Sequence, residues 1–194
     1  MTADLDLDTR AGWPDELRFY LERYPRPIWP GHVNLGELSR FWLQIHDGFR
    51  DLGSSLRART SDFREERIPA EEFRAWLGPR LQTLLSHLHG HHQIEDYQFF
   101  PLFSAAEPKL VRGFEVLERD HEQIHETIGR VVDTANTLLR ASPTDLEQIR
   151  RSADAYAENG EALLRQLDRH LGDEEDLIIP LILDRSEATL GIGQ

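Results

Sequence analysis

The sequence predicts an all-α fold, an up-down-up-down four-helix bundle with an N-terminal arm, and three observations carry that prediction. Apolar residues recur at helical spacing along four long stretches. No segment alternates with the period of two that a half-buried strand shows. Proline and glycine punctuate the stretches where turns belong. Residues 1–33 form the arm. Pro14 opens a short helix there, and Tyr24-Pro25-Arg26-Pro27 and Trp29-Pro30-Gly31 follow it. Trp13, Phe19, Tyr20, Ile28 and Trp29 call for burial, so the arm is expected to be ordered. The bundle is expected over 34–184. Its first helix begins near Asn34, a favourable N-cap, and runs to about Arg59. A charged loop, Thr60 to Pro69, precedes a second helix over Ala70 to Phe103, with a kink or break at Gly78-Pro79. The third helix covers Glu107 to Arg140. Ser142 as N-cap and Pro143 at the first helical position open the fourth, which reaches Pro180 or slightly beyond. Short loops between four long helices give the antiparallel arrangement. Residues 185–194 are assigned to a C-terminal tail.

Composition narrows the function. Of 194 residues, 22 are basic and 35 acidic, for a formal charge of -13. That charge repels nucleic acid and anionic membranes, so neither is an expected partner. A protein partner or homo-oligomer is compatible with it. The absence of cysteine excludes disulfides, thiol catalysis, thiolate zinc sites and iron–sulfur clusters. No apolar run approaches the roughly 20 residues of a membrane span. Met1 to Arg10 lacks the basic-then-apolar pattern of a signal peptide, so the cytoplasm is the expected location. What remains informative is nine histidines.

Helical geometry, at about 100° per residue, orients them. On the second helix, with His91 at zero, Phe73, Leu77, Leu84, Leu88, Phe99 and Leu102 fall between about 0° and 80°. Glu95 lies inside that stripe, whereas His92 and Asp96 lie at or beyond its edge and His89 points away. On the third helix, His121 and His125 share a face with Phe114, Leu117, Ile128 and Val132. On the fourth, His170 and Glu174 share a face with Leu163, Leu167, Leu177 and Leu181, and Glu175 is displaced by about 140°. His46 on the first helix lies beside Trp42 and Phe49. A single His-x-x-x-Glu is commonplace; two of them facing inward from two helices, with inward His46, His121 and His125, are not. Burying five imidazoles and two carboxylates without partners costs several kcal/mol per group, so a metal site is the economical solution. Five imidazoles, two bridging carboxylates and a bridging oxo or hydroxo group fall one bond short of two complete octahedra. That leaves one position open for a small exogenous ligand. The mixed nitrogen and oxygen donors suit iron ahead of manganese or zinc.

The constellation resembles the hemerythrin-like, or histidine-histidine-glutamate cation-binding, family. The carrying residues are His46, His91-x-x-x-Glu95 with the following Phe99-Phe100-Pro101, His121-x-x-x-His125 and His170-x-x-x-Glu174, spread over about Asn34 to Leu183. The resemblance implies two non-haem iron ions. One would be held by His46 and His91, the other by His121, His125 and His170, with Glu95 and Glu174 bridging. It implies dioxygen or nitric oxide as ligand, for sensing, storage or delivery. A di-iron oxidase, peroxidase or nitric-oxide-processing enzyme is the alternative, with His87, Tyr97 or Glu118 as its acid or base; iron handling is another. Oxygen-carrying members bridge through the carboxylate five residues after the last histidine, here Glu175, but the angles favour Glu174. His32 is expected to belong to the arm.

Two rival schemes fit less well. His121-Glu122-x-x-His125 is also the zinc-metallopeptidase helix pattern. That reading leaves His46, His91, Glu95, His170 and Glu174 without a role, and no strand is predicted to bind an extended substrate. Ferritin-like sites take Glu-x-x-His from two different helices; here both copies fall on one.

Overall fold

A computed structural model describes residues 5–142 and 144–192 of the chain. Among these the secondary structure is helical without strands: α1 (Asp15–Arg23), α2 (Glu37–Arg64), α3 (Ala70–Ile94), α4 (Phe100–Ala106), α5 (Val111–Arg140), α6 (Leu146–Arg185) and α7 (Glu187–Leu190). Short 3-10 turns cover Arg26–Gly31 and Pro108–Leu110. No helix among the described residues is long and apolar enough to cross a membrane.

Several boundaries differ from the sequence expectation, each for a local reason. Helix α2 begins at Glu37, because the Asn34 side chain donates to the Leu183 carbonyl (2.8 Å) and does not cap. Its N-terminus is met by Glu187, whose Oε1 accepts from the Ser39 N–H and hydroxyl at 2.7 and 2.6 Å. A carboxylate there complements the helix dipole. Gly36 is what lets it approach: a Cβ at that position would collide with the Glu187 carboxylate. The expected tail thus includes a helix, α7, which lays Glu187 across the start of α2. The loop after α2 shrinks to residues 65–69. Helix α6 starts at Leu146, with Asp145 accepting from the Gln148 N–H at 2.9 Å as its cap. The expected Pro143 start lies outside the described residues.

The irregularity of the second long helix also moves. Pro79 sits inside a continuous α3, whereas Glu95–Phe99 forms a π turn, closed by the Phe100 N–H on the Glu95 carbonyl. Pro101 explains the position. It has no N–H for the carbonyl four residues back and its ring crowds that turn, and a wider turn just upstream relieves both.

The chain divides into two compact units, each drawn from several segments. The first takes the chain up to Asp47, His92–His121 and the chain from Asp168 onward. Its core joins Trp13, Leu17 and Tyr20 of the arm to Phe100, Phe114 and Leu181. Trp29 is also buried, against Ile179 and Leu183, whereas Phe19 is half-buried and Ile28 exposed. The arm therefore shares a core with α5 and α6, in which Leu177 and Ile178 are buried beside Trp13, Leu17 and Tyr20. The second unit comprises Gly48–His91 and Glu122–Leu167. Its interior is almost wholly apolar, with Phe73, Leu77, Leu88, Ile124, Val131 and Leu138 closed to solvent. A cleft of about 270 Å³ in it, among Leu56, Leu81, Leu84, Tyr156 and Leu164, includes none of the candidate metal ligands.

Candidate metal centre

Two groups of side chains bring ligand atoms within 4.8 Å of one another: His92, His121 and His170, and His46, His91, Glu95 and Glu174. All seven are buried. In the first group His121 Nε2 lies 3.0 Å from His170 Nε2, and the His92 ring stacks on His121 at 3.8 Å. At that separation both ring nitrogens could reach one ion. The carboxylates link the groups. Glu174 Oε2 is 3.5 Å from His170 Nε2 and 3.6 Å from His46 Nε2, and Glu95 Oε2 is 3.7 Å from His121 Nε2.

Glu174 tests whether a cation fits. It is fully buried and neither carboxylate oxygen has a hydrogen-bond partner. Burial, reinforced by the negative charge of Glu95, raises its pKa well above the ordinary glutamate value. A cation placed between these carboxylates reverses both effects, since it supplies the missing partner and favours ionisation. His170 is tuned the complementary way. Burial pushes its imidazole down to about 4, against the opposing pull of Asp120, so it is neutral at pH 7 with a lone pair to offer.

The outward nitrogens of three imidazoles face carboxylates. His46 Nδ1 lies 3.0 Å from Glu175 Oε1, His121 Nδ1 lies 2.7 Å from Asp96 Oδ1, and His170 Nδ1 lies 3.3 Å from Asp120 Oδ2. A proton on Nδ1 donates to the carboxylate and turns the Nε2 lone pair inward, which fixes ring and tautomer as metal-ligating histidines require. Trp42 Nε1 donates to Glu95 Oε1 at 2.9 Å and holds that carboxylate too. Aromatic rings wall the site: Trp42 packs on His46, Phe49 on His91 and Phe100 on His121.

Of the residues expected from sequence, His46, His91, Glu95, His121, His170 and Glu174 fall into these groups, and His125 does not. His125 is half-buried and its Nε2 lies 3.4 Å from Nδ1 of the exposed His89. The reason is where the buried arc of α5 is centred. Its closed residues include Leu117, Asp120, Ile124, Thr127, Val131 and Leu138, which centre about 80° to one side of His121, whereas His125 lies about 40° to the other and so about 120° from that centre. The same arithmetic explains His92. The buried Leu77, Leu81, Leu84 and Leu88 of α3 centre about 50° from His91, so adjacent His91 and His92 straddle that centre and both face inward. A stripe drawn from its middle, with Leu81 included, carries the signal for His92 in the sequence. Glu175 turns to His46 Nδ1 in place of joining either group. His87 and Glu118 are exposed, as is Tyr97, and His32 packs edge-on against Tyr24 within the arm.

The hemerythrin HHE cation-binding domain matches residues 37–182, three quarters of the chain. The chain belongs to the hemerythrin HHE cation-binding family. No curated protein and no solved structure gives a significant match to it. As a member of this family it has histidine and glutamate groups able to hold metal cations.

Proposed function

We propose that this hemerythrin-family chain is a non-haem di-iron protein that binds a small diatomic ligand, dioxygen or nitric oxide, for sensing, storage or delivery. One observation carries the reading: the fully buried Glu174 carboxylate, without a hydrogen-bond partner, lies between His46 and His170, one from each ligand group. In this reading His46 and His91 would hold one ion, His92, His121 and His170 would hold the other, and Glu95 and Glu174 would bridge them, with His92 taking the place that the sequence pattern gave to His125. The up-down-up-down arrangement of the four long helices belongs to the same reading. When bound, the ion pair supplies an open coordination position and a reversible electron couple. The chain's own residues orient the imidazoles through Glu175, Asp96 and Asp120, hold Glu95 through Trp42, and exclude water with Phe49 and Phe100.

Ligand binding is favoured over an oxidase or peroxidase because His87, Tyr97 and Glu118, the side chains suited by sequence to supply a proton, are all exposed, Tyr97 at 78%. The zinc-peptidase alternative asks His121 and His125 to meet one ion; His121 groups with His92 and His170, while His125 pairs with His89. Metal content measured beside aerobic and dithionite-reduced absorption spectra tests the proposal. Two irons per chain, with charge-transfer bands that bleach on reduction and shift with nitric oxide, are expected. A single zinc and a featureless spectrum would overturn it. Steady peroxide turnover that disappears in His121→Ala would move the assignment to the enzyme, and rapid loss of iron to a chelator would move it to iron handling.

A further inference from the structure

The arm lies ahead of the residues that the family domain matches, and it carries two guanidinium groups that reach the metal centre. Arg10 is 2% exposed, although arginine is among the residue types that are almost never closed off unless paired. Its Nε donates to Asp173 Oδ2 at 2.7 Å, its Nη1 to Asp120 Oδ1 at 2.8 Å and to the Leu5 carbonyl at 3.2 Å, and its Nη2 to Asp120 Oδ2. Asp120 Oδ2 is the atom that faces His170 Nδ1. Neighbouring groups of the arm and of α6 fix the position: Trp13 Nε1 donates to the Asp173 carbonyl at 2.7 Å, and Arg169 donates to the Arg10 carbonyl.

Arg26 repeats the arrangement. Its Nη1 donates to Glu175 Oε2 at 2.8 Å, its Nε to Asp176 Oδ1 at 2.7 Å and its Nη2 to the Gly172 carbonyl at 2.8 Å, with the guanidinium over the Trp29 ring. The other oxygen of Glu175 faces His46 Nδ1. Two relays of the same composition, guanidinium to carboxylate to imidazole, therefore start in one arm. They end on one histidine from each ligand group.

The physics of such a relay is specific. A carboxylate that accepts from a ligand imidazole sets its orientation and its basicity toward the metal. A buried carboxylate needs a counter-charge to stay ionised in place. Arginine supplies that charge together with a rigid fork, which fixes the carboxylate in angle as well as in distance. Around Glu95 and Glu174 the buried carboxylates Asp120, Asp173 and Glu175 would repel one another and the bridging pair without these cations. An undocked arm removes both.

We propose that the N-terminal arm is a clamp on the metal centre, in which Arg10 and Arg26 are positioning residues that set how firmly the ions are held. By linkage, the ions set how firmly the arm is docked. The clamp rests on the reading of these groups as a metal centre.

Two measurements on the full chain test it, with ferrous iron as the probe. The first is the rate of iron transfer to a chelator for wild type, Arg10→Met, Arg10→Lys, Arg26→Met and Arg26→Lys. Each methionine variant is expected to bind about ten- to hundred-fold more weakly, read as faster release, and each lysine variant to recover part of the loss, since it restores the charge without the fork. The second is tryptic cleavage within the arm, at Arg18 and Arg23. Iron is expected to slow cleavage of wild type and to have little effect on Arg10→Met, a dependence that a merely structural arginine would not create. Arg26 is partly exposed, so its variants carry the test if Arg10→Met fails to fold. Release at the wild-type rate from folded variants, or arm cleavage indifferent to iron in wild type, would overturn the clamp while leaving the metal centre standing. Failure of wild type to take up iron would overturn the reading beneath it and the clamp with it.

Discussion

The two compact units close off polar groups on different terms. The second buries Thr60, Thr127, Ser152 and Gln166, with His91 at the end of its first segment. Thr60 and Thr127 donate to carbonyls one turn back in their own helices, which asks nothing of the tertiary structure. The first buries Arg10, His46, His92, Glu95, Asp120, His121, His170, Asp173, Glu174 and Glu175. Few of these can be satisfied within a turn of helix. Their partners lie far along the chain, Arg10 with Asp120 and Asp173 being the extreme case. Stability in the second unit is thus a matter of packed apolar area, while the first gathers buried charged groups whose partners come from distant segments.

The largest effect that would sharpen this contrast is in the apolar unit. Phe73→Ala removes a fully buried ring stacked on Phe63 at 4.7 Å, and should cost about 3–5 kcal/mol in denaturant unfolding. Iron bound per folded chain should be unchanged; a proportionate loss of iron would erase the contrast. Next comes a substitution of opposite character. Glu174→Leu should abolish the paired metal site, yet stabilise the metal-free chain by about 1–3 kcal/mol, because it removes a buried carboxylate whose oxygens have no hydrogen-bond partner. Destabilisation of the metal-free form would show that Glu174 has a structural partner after all.

A third pair decides between two imidazoles. His92→Ala should lose one ion of the two by elemental analysis, while His125→Ala should keep both; equal losses would return His125 to the ligand set. The smallest effect concerns protons. Glu174 holds its proton to higher pH than an ordinary glutamate, and metal binds only the ionised form. Uptake should therefore release protons, and affinity should fall as pH falls. Calorimetry in buffers of different ionisation enthalpy measures the release, and identical heats would count against a protonated Glu174.

Much of the site is legible in the amino-acid sequence. The two His-x-x-x-Glu pairs, His46 and His121 all fall in the ligand groups because a spacing of four places both residues on one face of any helix. That His92 falls in these groups and His125 does not is harder to read. A helical face is about 100° wide, and its centre depends on what packs against it. Histidines at the edge of such a face are separated from those beyond it only when the neighbours are in place. The π turn before Pro101 is a middle case: the proline signals a disturbance, but whether the helix kinks or widens is settled by packing.

The sequence by itself determined that the chain is helical, which stretches are helices, and that inward-facing imidazoles and carboxylates recur on them, because these follow from periodicities within a few residues. The tertiary structure alone decided that Glu175 serves His46 from outside the ligand groups, that Arg10 and Arg26 reach the carboxylates behind His170 and His46, and that α7 lays Glu187 on the start of α2. Each of these joins residues more than a hundred positions apart. No local pattern encodes such a pairing, and each is selected only when folding brings the segments together and a buried charge must find its counter-charge.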